Sequence, residues 1–232
     1  MTNYVLVHGS FQGGWIWQSV AQRLRAAGNA VFSPTLQGCA ERKHQIGPGI
    51  TVTTQATEVA ELLFYEDLRD VVLVATSTGG LIASKAASLA RGRIARLVYV
   101  DALAPQPGES VADIVIRAPG AAPYEMTQFA RGPSLADAAQ RLFADLDPDL
   151  RDWALARYCL HPITASDAAP GELDDFWAQS WSASVICCSS SVNPSQAHQR
   201  RTADALNADW HDMDAGHYPM LSHPEELTTL LL

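Results

Sequence analysis

The chain has 232 residues, of which 47% are hydrophobic and 18% charged, and this suits one globular domain with a substantial core. Its 25 acidic residues outnumber its 16 basic ones and give a formal net charge of −9. This balance argues against nucleic acid or an anionic membrane surface as a partner. No apolar run reaches the roughly 18 residues that a membrane span needs.

The amino terminus and the cysteines predict a cytoplasmic protein that holds no metal or other cofactor. Met1, Thr2 and Asn3 run directly into a predicted strand, which leaves no room for a signal peptide. The cysteines show no metal-ligand spacing and are expected to be free thiols in a reducing compartment; they are Cys39, Cys159, Cys187 and Cys188. The sequence leaves the oligomeric state open.

Strands and helices alternate along most of the chain. The apolar patterns predict strands over 4–7, 30–33, 71–74, 94–100, 184–188 and 210–213. Between and after them, helices are predicted over 15–27, 53–64, 81–87, 194–206 and from 224 onward. This alternation is typical of an α/β protein whose parallel sheet carries helices on both faces.

The alternation stops between residues 104 and 180. No strongly strand-like run occurs there, and helical patches over 135–146 and 150–158 are separated by turns with proline and glycine. We expect a core of residues 1–103 and 181–232, with residues 104–180 inserted as a helical cap over the carboxyl ends of the strands.

A serine lies at the turn between the third predicted strand and its helix. Ser77 follows Ala75 by two residues and precedes Gly79 by two, in the pattern small-x-Ser-x-Gly. Small neighbours are needed where a strained serine backbone lies close to a strand and a helix, and the pattern is typical of a nucleophile elbow. The alternative is an ordinary turn in which Ser77 only caps the helix.

A serine hydroxyl needs a base to remove its proton during attack, and histidine is the usual one. His217 follows Gly216 in the loop after the last predicted strand, at the sheet edge where Ser77 is expected. We therefore predict His217 as the base. Its alternative is a capping or surface histidine.

The tetrahedral intermediate of acyl transfer needs hydrogen-bond donors for its oxyanion. One predicted donor is the amide of Thr78, directly after the nucleophile. The second is the amide of Ser10 in the glycine-containing loop after the first strand, with Phe11 as the fallback. His8, at the end of that strand, is expected to bond backbone and shape the turn.

Three stretches together resemble the α/β-hydrolase superfamily: Tyr4 to Trp15, Ala75 to Gly80, and Gly216 with His217. The resemblance is strongest to a small branch of plant methylesterases and hydroxynitrile lyases, and within the superfamily to bacterial carbendazim-hydrolysing esterases. It implies a mostly parallel, doubly wound sheet with a small cap. It also implies Ser77 as nucleophile, His217 as base, and an oxyanion hole made of the Ser10 and Thr78 amides.

The third member of the triad departs from the family pattern. The acid normally follows the strand predicted over 184–188, but residues 189–193 contain no carboxylate. Asp101, at the end of the strand after the elbow helix, is the favoured replacement, because a carboxylate also stabilises a charged base. The alternatives are that Asn193 or a nearby serine orients the histidine, and that Asp101 only bonds loop amides.

Aromatic residues are expected around the substrate. We predict Phe11, Gln12 and Trp153 as substrate-binding residues, in a pocket that suits a flat apolar or aromatic acyl or carbamoyl group. The alternative is that such aromatics only pack the cap onto the core.

The sequence thus predicts a serine hydrolase of a small ester or a carbendazim-like methyl carbamate, acting through an acyl- or carbamoyl-enzyme. One alternative is a non-catalytic small-molecule receptor on the same fold, which the missing acid would suit. The other alternative is a hydroxynitrile lyase. The lyases that the chain resembles carry a lysine directly after the catalytic histidine, whereas this chain has Tyr218 at that position.

Overall fold

A computed structural model describes residues 1–117 and 122–232. Nine strands occur in these residues: β1 (Asn3–Val7), β2 (Ala30–Phe32), β3 (Val71–Ser77), β4 (Ile94–Ala102), β5 (Glu125–Met126), β6 (Ala130–Gly132), β7 (His161–Pro162), β8 (Ala183–Cys188) and β9 (Asp209–Met213).

The same residues form ten α-helices: α1 (Gln18–Ala26), α2 (Val52–Tyr65), α3 (Gly79–Leu89), α4 (Val111–Ile114), α5 (Leu135–Arg141), α6 (Pro148–Leu155), α7 (Asp174–Trp177), α8 (Gln196–Leu206), α9 (Pro219–Ser222) and α10 (Pro224–Leu231). Across the described ranges, each helix is too short or too polar to cross a lipid bilayer.

Six strands form one parallel sheet in the spatial order β2-β1-β3-β4-β8-β9. The direction in which successive strands are added reverses between β1 and β3, because β2 lies on one side of β1 and β3 lies on the other. All carboxyl ends therefore meet at one edge, where ligands of open α/β sheets bind. The predicted α/β-hydrolase fold, with its mostly parallel doubly wound sheet, is confirmed.

The sheet is buried on both faces, which explains why its strands are continuously apolar. Val5 and Leu73 point to the face that is covered by α2, α3 and α8. The alternate residues Leu6 and Val74 point to the other face, which is covered by α1 and α10. Successive side chains of a strand point to opposite faces, so a doubly covered strand needs apolar residues at every position.

The segment between β4 and β8 differs from the predicted helical cap. It contains the short helices α4 to α7, and also a three-stranded antiparallel sheet in the order β5-β6-β7. These strands have only two or three residues each, too few for an apolar alternation that the sequence could reveal. The helices are also shorter than expected, since α5 ends at Arg141 and α6 at Leu155.

Two glycines allow α3 to begin close to the neighbouring strand ends. A Cβ atom at Gly79 would lie 2.6 Å from the carbonyl oxygen of His8. One at Gly80 would overlap the carbonyl oxygen of Leu103, just beyond β4. A side chain at either position would therefore push the helix away from the strand ends that carry the polar residues.

We predict that Gly80→Ala lowers the free energy of unfolding by about 1–3 kcal/mol, because the methyl group meets backbone that cannot rotate away. Urea unfolding measures the change. Gly92→Ala is the matched control: its Cβ atom meets nothing within 4 Å, so a change within about 0.5 kcal/mol is expected. Equal effects of the two substitutions would contradict the packing argument.

Candidate active site

Ser77 occupies a strained turn at the end of β3. Its φ of 53° lies in the left-handed region, which non-glycine residues seldom adopt. Gly9 packs directly against it, since a Cβ atom there would lie 2.5 Å from Ser77 Cβ. With α3 beginning at Gly79, this is the strand–turn–helix geometry that the sequence pattern predicts.

Asp101 lies at the end of the adjacent strand, in a bulge. Thr76 of β3 pairs with Val100 of β4. The next pair is Ser77 with Ala102, so Asp101 is an extra residue without a partner across the ladder. Its φ of 45° is also left-handed. Bulges of this kind redirect a side chain beside an active site, and the Asp101 side chain is fully buried.

His217 and Asp101 are in direct contact. Nδ1 of His217 lies 2.5 Å from Oδ2 of Asp101, and the histidine side chain is only 12% exposed. In the neutral imidazole, an N–H on Nδ1 that donates to the carboxylate leaves Nε2 without a proton, as a general base requires. Ser77 and His217 line the same cavity. Within the described residues no hydrogen bond joins their side chains, and such contacts often tighten only with substrate bound.

The alternative partners of His217 are engaged elsewhere. The Asn193 side chain accepts from the Ile116 amide at 2.7 Å and donates to the Ile116 carbonyl at 2.8 Å. The hydroxyls of Ser189 and Ser190 lie 3.4 and 3.3 Å from Asp214 Oδ1. The geometry thus brings Asp101, rather than the loop after β8, to the histidine.

The loop after β1 differs in one detail from the expected oxyanion hole. The Ser10 amide donates to Thr78 Oγ1 at 2.8 Å, so it already has an acceptor. The two hydroxyls are themselves 2.8 Å apart. The Thr78 amide lies at the start of α3, where the first amides of a helix have no partner within it. Phe11, the fallback, has a left-handed φ of 72° and lines the cavity.

His8 has the structural role that was expected. Its Nδ1 lies 2.8 Å from the Gly9 carbonyl oxygen, and its Nε2 accepts from the Leu36 amide at 3.0 Å. Burial lowers the pKa of His8 to about 4, so the imidazole is neutral at neutral pH with its proton on Nδ1.

The cavity has a volume of about 860 Å³. Of the three predicted substrate-binding residues, only Phe11 lines it. Gln12 is fully buried beside Tyr218. Trp153 packs edge-on against Trp15 at 5.2 Å between ring centroids, outside the cavity. The aromatic packing alternative therefore describes Trp153, because its ring joins α6 to the short 3-10 turn Gly14–Trp17 that precedes α1.

All four cysteines are free thiols, as predicted. Burial raises the pKa of Cys187 to about 11 and raises the pKa of Cys39 further, so both thiols stay protonated at neutral pH. Within the described part of the chain, no group of three or more histidine, cysteine, aspartate or glutamate side chains is arranged to hold a metal ion.

Two contacts of the site were not predicted from the sequence. Gln199, which is 1% exposed, donates from Nε2 to Asp101 Oδ1 at 2.7 Å, so both carboxylate oxygens of Asp101 have partners. The Asp145 carboxylate lies against Gly216, where any Cβ atom would overlap it. Neither glutamine on a helix nor aspartate in a loop carries a sequence signal that would single it out.

The buried histidine His8 predicts a pH dependence of stability. Its folded pKa of about 4 lies below the ordinary value of 6.5, so between these values the unfolded chain binds a proton that the folded chain does not. The free energy of unfolding should therefore fall as pH drops from about 6.5 to 4, by up to about 1.4 kcal/mol per pH unit from this residue. Urea unfolding across this range measures the slope.

In the His8→Gln variant, the free energy of unfolding should change less steeply with pH, by up to about 1.4 kcal/mol per pH unit, which corresponds to one proton. Because His161 and His198 also have lowered pKa values, some slope should remain. The exposed His44 offers the control, and His44→Gln should keep the slope of the unmodified protein. A His8→Gln slope that equals the control would refute the assignment.

Comparison with known proteins identifies the family of the chain. A family model described as the alpha/beta hydrolase family matches residues 4–230. The chain is 33% identical over 180 residues to a carbendazim hydrolyzing esterase from Nocardioides sp. (strain SG-4G), with 73% of each chain covered. It is 28% identical, over a 253-residue alignment, to Methylesterase 7 of Arabidopsis thaliana, with 99% of this chain and 94% of the relative covered.

A solved structure of polyneuridine aldehyde esterase superimposes with a TM-score of 0.83 at 19% identity, covering 100% of this chain and 98% of that one. The resemblance to the methylesterase branch and to a carbendazim-hydrolysing esterase is thereby confirmed. Since the family model spans nearly all of its length, the chain belongs to the alpha/beta hydrolase family.

Proposed function

We propose that this protein is a serine esterase, with Ser77 as nucleophile, His217 as general base and Asp101 as the anionic partner of the base. The observation that carries the proposal is the 2.5 Å contact between His217 Nδ1 and Asp101 Oδ2, on a histidine that shares a cavity with Ser77. Membership of a hydrolase family supports the general class of reaction.

The reaction runs in two halves. Ser77 Oγ attacks the ester carbonyl carbon while His217 Nε2 takes the hydroxyl proton, and the imidazolium is stabilised by the Asp101 carboxylate. The tetrahedral intermediate collapses, and the same proton passes from Nε2 to the leaving alcohol oxygen. Water then repeats the sequence on the acyl-enzyme, with His217 taking its proton, and releases the acid and free Ser77.

We assign the oxyanion hole to the amides of Thr78 and Ser10. The Thr78 amide lies next to the nucleophile at the start of α3, where the helix dipole also favours negative charge. The Ser10 amide would exchange its present acceptor, Thr78 Oγ1, for the oxyanion. The Thr78 hydroxyl can still bond Ser10 Oγ, which lies 2.8 Å away, so the exchange leaves no buried polar atom without a hydrogen-bond partner.

A small ester or methyl carbamate is the proposed substrate. The 33% identical relative is named for hydrolysing carbendazim, and the other reported relative is a methylesterase. The aromatic ring of Phe11 in the cavity wall suits a flat apolar group next to the scissile bond. With a carbamate the enzyme intermediate would be a carbamoyl ester on Ser77.

Neither alternative function gains support. Tyr218 stands where the hydroxynitrile lyases that the chain resembles carry a lysine, and it is buried against Phe143 at 5.2 Å between ring centroids. A non-catalytic receptor would be suggested by a missing acid, but Asp101 supplies a carboxylate to His217.

A panel of p-nitrophenyl esters and aryl carbamates tests the proposal. Ser77→Ala should lose activity on the order of 10⁴-fold or more while keeping its unfolding free energy, because the nucleophile is gone. Asp101→Asn should lose roughly 10²–10⁴-fold in kcat, because a neutral amide does not stabilise the imidazolium. A fluorophosphonate probe should label the unmodified protein on Ser77. Full activity of Ser77→Ala, or no labelling at neutral pH, would overturn the proposal.

Gln199 is proposed as a positioning residue that holds the Asp101 carboxylate toward His217. Gln199→Leu should lower kcat roughly 10-fold or more, since a hydrogen bond to a charged group is lost, while KM changes less than about threefold. The matched control is Gln196→Leu, an exposed residue on the same helix, which should change neither constant. A parallel change of KM and kcat, or none, would argue that Gln199 is only structural.

A further inference from the structure

One wall of the active-site cavity carries an arginine that the proposed mechanism does not use. Arg131 lies on β6, is partly buried, and lines the same cavity as Ser77. Among the described residues, no carboxylate oxygen lies within 4.0 Å of its guanidinium. The positive charge is therefore partly shielded from water and has no ion-pair partner.

Its position in the cavity wall sets Arg131 apart from other partly buried arginines of the described residues. Arg42 pairs with Glu58 at 2.6 Å. Arg96 and Arg151, like Arg131, have no carboxylate of the described chain within 4.0 Å, but they lie outside the cavity. A partly buried charge without a partner costs stability. Within a substrate cavity, such a charge can offset this cost by binding an anionic group of a ligand.

The guanidinium is held in place by a single hydrogen bond. Its Nη2 donates to Ser166 Oγ at 3.0 Å, while the Ser166 hydroxyl itself donates to the Ile163 carbonyl at 2.5 Å. Ser166 also lines the cavity. Of the five N–H donors of a guanidinium, four remain, and their planar arrangement matches the two oxygens of a carboxylate.

A second polar side chain lies beside Arg131 on the same wall. His161 of β7 pairs with Arg131 across the antiparallel ladder, so the two side chains share a face of this small sheet. His161 is 2% exposed and its Nε2 has no hydrogen-bond partner among the described residues. Burial, together with the nearby positive charge of Arg131, lowers the pKa of His161 to about 3, whereas the Ala165 carbonyl acts in the opposite direction. The imidazole is therefore neutral and does not compete with Arg131 as a cation.

This wall meets the loop after β1 at Phe11. The Phe11 ring stacks on Tyr158 at 5.7 Å and meets His161 edge-on at 6.2 Å between centroids. Phe11 directly follows Ser10. A ligand in the cavity of about 860 Å³ can therefore span from the Ser77 hydroxyl across the Phe11 ring to the guanidinium.

We propose that Arg131 is a specificity-determining residue that binds a carboxylate on the substrate, so that half-esters of dicarboxylic acids are preferred over neutral esters. The inference rests on the proposed esterase function and names its substrate class. Hydrolysis of such a half-ester consumes water and releases the dicarboxylic acid and an alcohol, by the two-step route through Ser77.

Monomethyl and dimethyl esters of isophthalic acid form a matched substrate pair for the test. The unmodified protein should show the higher kcat/KM with the monomethyl ester, falling with added salt because the attraction is electrostatic. Arg131→Gln should lose roughly 10–100-fold in kcat/KM on the monoester and less than about threefold on the diester. Arg131→Lys should lie between, because it keeps the charge without the planar donor pair.

Arg151→Gln is the matched control. Arg151 is likewise partly buried without a carboxylate of the described chain within 4.0 Å, but it lies outside the cavity, so its removal should change the kcat/KM of neither ester by more than about threefold. Equal losses of Arg131→Gln on both esters, or no loss on the monoester, would overturn the inference while leaving the esterase proposal intact. Were Arg131→Gln to misfold, the Arg131→Lys variant and the salt dependence of the unmodified protein would decide.

Binding separates this inference from the proposed mechanism. In the Ser77→Ala background, the dissociation constant of the monomethyl ester measured by calorimetry should rise roughly 10-fold or more when Arg131→Gln is added. This readout does not depend on Ser77 as a nucleophile. An unchanged dissociation constant would refute the role of Arg131, whereas absence of ester hydrolysis by the unmodified protein would refute the esterase proposal.

Discussion

The bulge between β3 and β4 is the constraint on which the site depends. Asp101 has no partner across the ladder, and both it and Ser77 adopt left-handed φ values at adjacent strand ends. The Leu103 amide then donates to the Ser77 carbonyl at 2.8 Å, which ties the two turns together. Strain of order 1–3 kcal/mol at each residue persists only because the surrounding packing enforces it. Gly80 contributes by letting α3 begin directly against Leu103.

The sequence predicted the central sheet well and the inserted segment poorly, for one physical reason. Strands such as β3 are buried on both faces, so every position is apolar and the pattern is strong. Strands β5 to β7 have two or three residues, which is less than two periods of alternation. Their pairing comes from tertiary contact and leaves no local signal.

For the candidate site, the sequence singled out residues whose position follows from backbone topology. Ser77 and Asp101 lie at the carboxyl ends of β3 and β4, and His217 lies in the loop after β9. Their approach to one edge of the sheet could therefore be deduced from the chain order. Gln199 could not be found in this way, because a helix residue reaches Asp101 only through the packing of α8 on β8. The hydrogen bond from the Ser10 amide to Thr78 Oγ1 likewise depends on loop geometry that composition does not specify.

Placing a carboxylate at the end of β4 also changes what the loop after β8 is required to do. That loop holds the acid in the family pattern that the chain resembles, whereas here its Asn193 side chain bonds both backbone groups of Ile116. Asn193 and Ile116 both line the cavity. The loop after β8 therefore contacts the inserted segment through the Asn193 hydrogen bonds, while the bulge at Asp101 presents a carboxylate to His217. In the proposed mechanism, the position of one carboxylate thus decides which loop serves the histidine and which loop contacts the inserted segment.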